Sequence, residues 1–195
     1  GFLRENGQPI RYSYSGGRWG LEAYQTVYAR EPGSAEMPSA GRPFTPELIT
    51  ALVAGGVMVA ALTLHAGVAS PEIDEPPQPE RVRVPAATAA LVNALKAAGG
   101  RVIAVGTTVA RALESAAGID GRVGLLDGYT DLVIGAEGPL RVVDGLLTGW
   151  HEPRASHLRL VEAVAGPELA ARMYERAIAR GYLWHEFGDS CLILP

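Results

Sequence analysis

Cysteine is almost absent from this 195-residue chain, where Cys191 stands alone. A disulfide framework and a cysteine-rich zinc site are therefore excluded. Long apolar runs are absent too. The longest, Val57 to Leu64, falls far short of the roughly 20 residues that span a bilayer. No basic start followed by an apolar stretch marks a secretion signal. Together these absences point to a soluble, cytoplasmic protein with no membrane partner. Lysine is also scarce, with Lys96 set against sixteen arginines. Arginine suits bidentate contacts with carboxylate or phosphate, although a GC-rich coding sequence gives the same bias. Charged residues make up only 19% and the net charge is −4. Neither a disordered chain nor a surface-wide nucleic-acid footprint has that balance.

Apolar side chains are plentiful, at 48%, and so are turn formers, with 24 glycines and 14 prolines. The chain is long enough for one domain with a substantial core. Many loops are expected, and loops carry function. The first residue is Gly1, not Met, and residues 1–23 read as linker, the remnant of a longer N-terminal part. Residues 24–195 read as the domain proper.

The common enzyme signatures are missing. No G-x-G-x-x-G follows a strand, and no Walker A sequence, H-E-x-x-H or G-x-S-x-G elbow occurs. The four histidines have no metal-ligand spacing, so no metal is expected.

Local patterns instead predict alternating strands and helices. Tyr24–Ala29 reads as a short strand. Thr45-Pro46-Glu47 reads as a helix start, with Thr as cap and Pro in the first turn, and Gly55-Gly56 as its stop. Val57–Leu64 reads as a buried parallel strand. The segment from Pro71 to Glu80, rich in Pro and acid, reads as a stiff connection. A helix is expected over Ala86–Ala98, then a strand over Arg101–Gly106 and a helix from Thr107 to about Ala117. Strands near Thr130–Ile134 and Leu140–Val143 follow. Next come helices near Ala155–Ala165 and Pro167–Arg180, and a final strand over Ser190–Leu194. This alternation predicts an α/β fold, its sheet largely parallel or mixed and its helices on both faces.

In open α/β sheets ligands gather at the carboxyl ends of strands. Val105-Gly106-Thr107-Thr108 is such an end, where free N–H groups of a helix start meet two hydroxyls. Thr107, Arg111 and Glu114 share one helix face. They fit a site for a carboxylate, ribose or phosphate, or simply a Thr cap followed by an exposed Arg–Glu pair. His65 ends another strand, as general base or as rim histidine. Asp144-Gly145 and Thr148–Pro153 form a third dense loop, followed by the basic Arg154, His157 and Arg159. That stretch is a contact for an anionic partner or a solvated helix face. Trp184, His185, Phe187 and Asp189 form a fourth cluster.

These segments, in this order, resemble the S-adenosylmethionine:tRNA ribosyltransferase-isomerase family of the queuosine pathway. The likeness runs through YQTVYA (Tyr24–Ala29), PSAG (Pro38–Gly41), TLHAG (Thr63–Gly67) and GGRVIAVGTT (Gly99–Thr108). It continues with Arg111 and Leu113-Glu114, GYTDL (Gly128–Leu132), VVDGLLT (Val142–Thr148), His151, Pro153, Ser156 and FGDSCLI (Phe187–Ile193).

The resemblance implies S-adenosylmethionine as a ribosyl donor and co-substrate, with no metal. The acceptor it implies is a 7-aminomethyl-7-deazaguanine base in tRNA. The product is epoxyqueuosine, with adenine and methionine released. The family's small β-barrel domain is not expected in these residues. By the same resemblance His65, His151 and Asp144 are the catalytic candidates. Ser39, Gly41, Gly67, Thr107, Thr108, Arg111, Glu114 and Asp189 are the substrate-binding candidates. The methionine carboxylate suits Thr107, Thr108 or Arg111, and Asp144 and Asp189 suit ribose hydroxyls or the sulfonium.

The chain departs from the family pattern in its loops. Ser39 replaces Thr, Arg42-Pro43 replaces Leu-His, Ala69-Ser70-Pro71 replaces a Gly-Thr-Phe run, and Glu75–Glu80 lacks the family's histidines. Gly149-Trp150 replaces Asn-Phe, and His157 replaces Thr. A second reading is therefore an S-adenosylmethionine-dependent enzyme with a small-molecule acceptor, or a non-catalytic relative that binds S-adenosylmethionine.

Overall fold

The structure, a computed structural model, describes residues 2–11, 17–67, 78–135, 140–151 and 157–194. Six helices and six strands are assigned among them: α1 (Phe2–Asn6), α2 (Pro46–Ala54), β1 (Thr63–His65), β2 (Glu80–Val84), α3 (Ala86–Ala97), β3 (Ile103–Val105), α4 (Thr107–Ser115), β4 (Leu126–Thr130), β5 (Gly145–Gly149), α5 (His157–Ala165), α6 (Pro167–Ala179) and β6 (Ser190–Ile193). Most of the Pro71–Glu80 connection, together with Pro153 and Ser156, lies outside the described residues.

The strands form two three-stranded sheets, ordered β1-β2-β4 and β3-β5-β6. The first is antiparallel throughout, with Thr63 opposite Arg83 and Val82 opposite Gly128. The second is mixed: β3 and β5 are parallel, with Val105 opposite Leu147, and β6 returns antiparallel to β5. The mixed α/β architecture agrees with the expectation from the sequence, and no closed barrel occurs among the described residues. Helix α4 touches strands of both sheets and joins them. The core runs from Val82 and Val84 through Ala104, Ala110 and Leu146 to Leu160, Val161 and Ile193.

Local chemistry explains the helix ends. The Leu48 amide donates to Thr45 Oγ1 at 3.1 Å, the cap that the sequence announces. Gly166, at φ 77°, turns the chain sharply between α5 and α6, and Pro167 opens the latter.

Four expected strands are different in the structure, and of Thr130–Ile134 only Thr130 lies in a strand, as the last residue of β4. Leu21–Tyr24 is a 3-10 turn, and the Tyr24 hydroxyl donates to Ile10 O, so Tyr24 anchors the N-terminal segment. In the run Val57–Leu64 only Thr63 and Leu64 belong to a strand, and Val57, Met58 and Val59 are about half exposed. An apolar run forms a buried strand only where neighbours cover both faces, and β1 has a single strand partner, β2. Around Val142 the chain is an irregular loop, because the Glu114 carboxylate takes its amides and leaves no ladder to form.

Candidate active site

The parallel strands β3 and β5 end side by side, and the chain leaving each of them builds one edge of the site. After β3, Gly106 takes φ 96°, a conformation that favours glycine, and Thr107 and Thr108 open α4. After β5 come Trp150 and His151, both buried. The turn Ser39–Gly41 packs on β5. A side chain starting at Gly106 would lie 3.6 Å from Ala40 Cβ, so that turn also abuts the start of α4. The loop from Trp184 to Asp189 closes the other side. Its His185 amide donates to Trp150 O at 2.9 Å, and a Cβ on Gly149 would fall 2.1 Å from His185 Cβ. Glycine at 149 is what lets the loop approach.

Three imidazoles meet here. The His151 ring stacks on His157 at 4.7 Å between centroids and lies 4.4 Å from His185. His151 Nε2 is 2.9 Å from Thr148 Oγ1, and the His151 amide donates to the Tyr174 hydroxyl at 3.2 Å. His185 Nδ1 is 2.6 Å from Ser39 Oγ, and its Nε2 pairs with the buried Glu186 carboxylate. Two unit charges about 4 Å apart repel by about 4 kcal/mol at an effective dielectric near 20, so two adjacent protonated rings exclude each other. Burial first, then His157 and His185, push the His151 pKa down to about 2. Burial and His185 also lower the pKa of His157, and Glu186 and Glu80 partly offset this. Burial drives the Tyr174 hydroxyl up to about 12, so it remains protonated.

Glu80 and Arg111 lie near enough to His157 to act on its charge. The two side chains form a nearly buried ion pair. Arg111 Nε donates to Leu132 O at 2.8 Å, and Glu80 Oε1 accepts the Gly67 amide at 2.8 Å. Arg111 therefore ties α4 to β2 and to the chain after β4. His65 ends β1 opposite Arg81, next to Glu80 in the register. Gly33 lies flat against the His65 ring, where a Cβ would sit 2.6 Å from Nδ1.

Not all expected site residues converge. Ser39, Gly41, Thr107, Thr108 and His151 gather at the carboxyl edge of β3 and β5, while Gly67, Arg111 and His65 border it. Asp144 lies at the opposite end of the same strand pair. It accepts from Lys96 Nζ at 2.7 Å and from the Val102 amide at 2.8 Å, which pins the entry to β3. Glu114 faces away from the edge, and its carboxylate accepts the amides of Arg141, Val142 and Val143 at 2.9–3.0 Å. Asp189 closes the Leu183–Asp189 loop on the Leu183 amide. These three carboxylates hold loops in place. Sequence reasoning did not bring together His157, His185, Glu186, Thr148 and Tyr174. The available signal was that three of only four histidines fall close to β5 and β6 in sequence, two in the loops that flank them and His157 at the start of α5. Among the described residues no cluster suited to a metal ion occurs, and no helix is long and apolar enough to cross a membrane.

Fold and site together define an α/β protein with a polar, histidine-rich ligand edge at the carboxyl ends of two parallel strands. The chain belongs to the queuosine biosynthesis protein family, whose pattern it matches over residues 1–193. It is 47% identical over 181 residues to an S-adenosylmethionine:tRNA ribosyltransferase-isomerase of Acaryochloris marina, an alignment covering 89% of this chain and 49% of that one. It is also 47% identical to the protein of the same name from a Nostoc species, covering 89% and 45%. The crystal structure of the Thermotoga maritima S-adenosylmethionine tRNA ribosyltransferase superposes with a TM-score of 0.68 at 37% identity, covering 80% of this chain and 51% of that one. The chain thus spans about half the length of the relatives it matches.

Proposed function

We propose that residues 24–195 carry the S-adenosylmethionine-binding, catalytic part of a ribosyltransferase-isomerase of the queuosine pathway. The reaction is transfer and isomerisation of the ribosyl group of S-adenosylmethionine onto 7-aminomethyl-7-deazaguanine in tRNA, with release of adenine and methionine. One observation carries this reading. Segments far apart in the chain that resemble the family, Pro38–Gly41, Gly106–Thr108 and Thr148–His151, meet at a single edge. S-adenosylmethionine is the co-substrate and no metal takes part. The enzyme works in the cytoplasm, where its tRNA substrate resides.

Roles follow from the geometry. The first amides of α4 and the Thr107 and Thr108 hydroxyls receive the methionine carboxylate. Arg111 is occupied by Glu80 and backbone carbonyls and serves as a frame. The sulfonium makes the neighbouring ribose hydrogens acidic, and a proton acceptor must lie close. His151, with its pKa near 2, is a poor acceptor at neutral pH and instead orients the edge through Thr148. Asp144, Glu114 and Asp189 maintain the loops.

A second reading has its own observation. His157 stands where the family pattern has Thr, and it stacks directly on His151. A narrowed edge of this kind favours a small-molecule acceptor over a tRNA base.

Adenine release from S-adenosylmethionine, with and without tRNA bearing the deazaguanine base, tests both. Release that requires this tRNA supports the first reading, and release without it supports the second. No release under either condition refutes both as catalytic readings.

A further inference from the structure

Ser39 opens the 3-10 turn Ser39–Gly41, and its hydroxyl lies 2.6 Å from His185 Nδ1. The other ring nitrogen, Nε2, meets the Glu186 carboxylate, which is buried. A carboxylate only accepts, so a neutral His185 carries its proton on Nε2 and presents a bare Nδ1. The Ser39 hydroxyl is then the donor to Nδ1. Hydroxyl, imidazole and buried carboxylate in series form the arrangement that activates a hydroxyl. The two ring nitrogens are exchanged relative to the serine-protease order, but the path of the proton is the same.

The surrounding backbone fixes this series in place. Phe187 adopts φ 61°, an uncommon conformation for a residue with a side chain. Gly188 lies so close to the Trp184 carbonyl that a Cβ would fall 1.7 Å from its oxygen. The Asp189 carboxylate closes the loop on the Leu183 amide. Ser39 is only partly buried.

We propose that Ser39, His185 and Glu186 form a proton relay that makes Ser39 Oγ an activated hydroxyl, able to take a proton from a bound ligand or to attack an electrophile. Where the ligand is a sulfonium nucleoside, the step rests on the function proposed above. The C–H bond beside sulfur breaks and its electron pair stays on carbon, stabilised by the sulfonium. The proton joins Ser39 Oγ as the proton of Ser39 passes to His185 Nδ1. The resulting imidazolium faces the Glu186 carboxylate.

Two measurements on the purified full chain test this. The first uses a phosphonofluoridate, which reacts far faster with activated hydroxyls than with ordinary ones, read by intact mass and peptide mapping to Ser39. Attack by Ser39 Oγ on phosphorus expels fluoride and sends the serine proton to His185. Labelling of Ser39 is expected. His185→Gln should slow it about a hundredfold, Glu186→Gln should slow it less, and Ser39→Ala should abolish it. The wild-type protein alone should show a labelling rate that rises with pH as a single ionisation and slows in deuterated water. An unlabelled Ser39, or equal labelling in His185→Gln, overturns the proposal without reference to S-adenosylmethionine.

The second measurement follows deuterium entry at the ribose carbon beside sulfur in bound S-adenosylmethionine. Loss of exchange in Ser39→Ala with binding retained supports the relay as the proton acceptor, and unchanged exchange overturns that role. If the wild-type protein neither binds nor exchanges S-adenosylmethionine, the proposed function fails, while the labelling result still decides the relay.

Discussion

Replacing Glu114 by Gln separates a structural carboxylate from a ligand-binding one. Glu114 is 8% exposed, and its two oxygens accept three backbone amides, from Arg141 at 2.9 Å and from Val142 and Val143 at 3.0 Å. Hydrogen bonds to a charged group contribute about 1.5–3 kcal/mol each. Glutamine keeps one carbonyl oxygen for Val142 and Val143 but turns an NH2 toward the Arg141 amide. One bond is lost, two donors face each other, and the remaining two bonds lose their charge. The expected destabilisation is about 3–4 kcal/mol, or about 6–16 °C in melting temperature for a chain of this size. Urea unfolding should show a lower midpoint at unchanged slope. Binding of S-adenosylmethionine, measured by calorimetry well below the melting point, should hold within about twofold of wild type. A destabilisation under about 1 kcal/mol with a large loss of affinity would refute the reasoning and return Glu114 to the ligand site.

Other perturbations follow the same logic. Gly149→Ala sets a Cβ 2.1 Å from His185 Cβ and must displace the loop that carries Glu186; turnover should fall about a hundredfold, with unfolding midpoints changing far less. Arg111→Lys cannot reach Glu80, Leu132 O and Thr130 O at once, so stability should drop by about 1–3 kcal/mol in urea titrations. The His151 pKa is about 2 in the folded protein, against 6.5 ordinarily. The stability contributed by its neutral form is complete above pH 6.5 and is lost as pH falls toward 2. The slope is up to about 1.4 kcal/mol per pH unit. His151→Gln should flatten denaturation midpoints between pH 6 and 4, and an unchanged slope would disprove the assignment.

Elements defined by local chemistry were legible in the sequence. The α2 start was written in Thr45-Pro46-Glu47, because caps act over three or four residues, and α6 begins at Pro167 as expected. Burial was less legible. The apolar stripe of α2 predicts a covered face, yet no residue of α2 is buried. The run from Val57 has the composition of a central strand but lacks the neighbours that would make it one. A composition records what a segment tolerates, and covering it takes a partner that local pattern does not specify. The sheet separated for a related reason. Alternation of strand and helix favours parallel pairing, but β1 and β4 both hydrogen-bond β2 in antiparallel register, a long-range choice.

The site follows the same division. The end of β3 announces Thr107 and Thr108, whereas His151 enters through the family resemblance, because the sequence around Gly145–Gly149 reads as a loop and the structure makes it β5. Asp144 joins them through the same resemblance and through its nearness in sequence to Thr148 and His151. A strand advances about 3.3 Å per residue, so β5 already carries Thr148 about 13 Å from Asp144, with His151 beyond the strand's end. Glu114 illustrates the helical counterpart. Sharing a face with Thr107 and Arg111 places it two turns down the axis, about 10 Å from the helix start at 1.5 Å per residue, where the nearest unsatisfied groups are loop amides. Convergence at an edge therefore depends on axial position as well as face. His185 meets that condition from 146 residues away, because Gly149 leaves room for its backbone and β6 returns antiparallel to β5. The residues best placed to move a proton here were the ones whose meeting depends on that return strand.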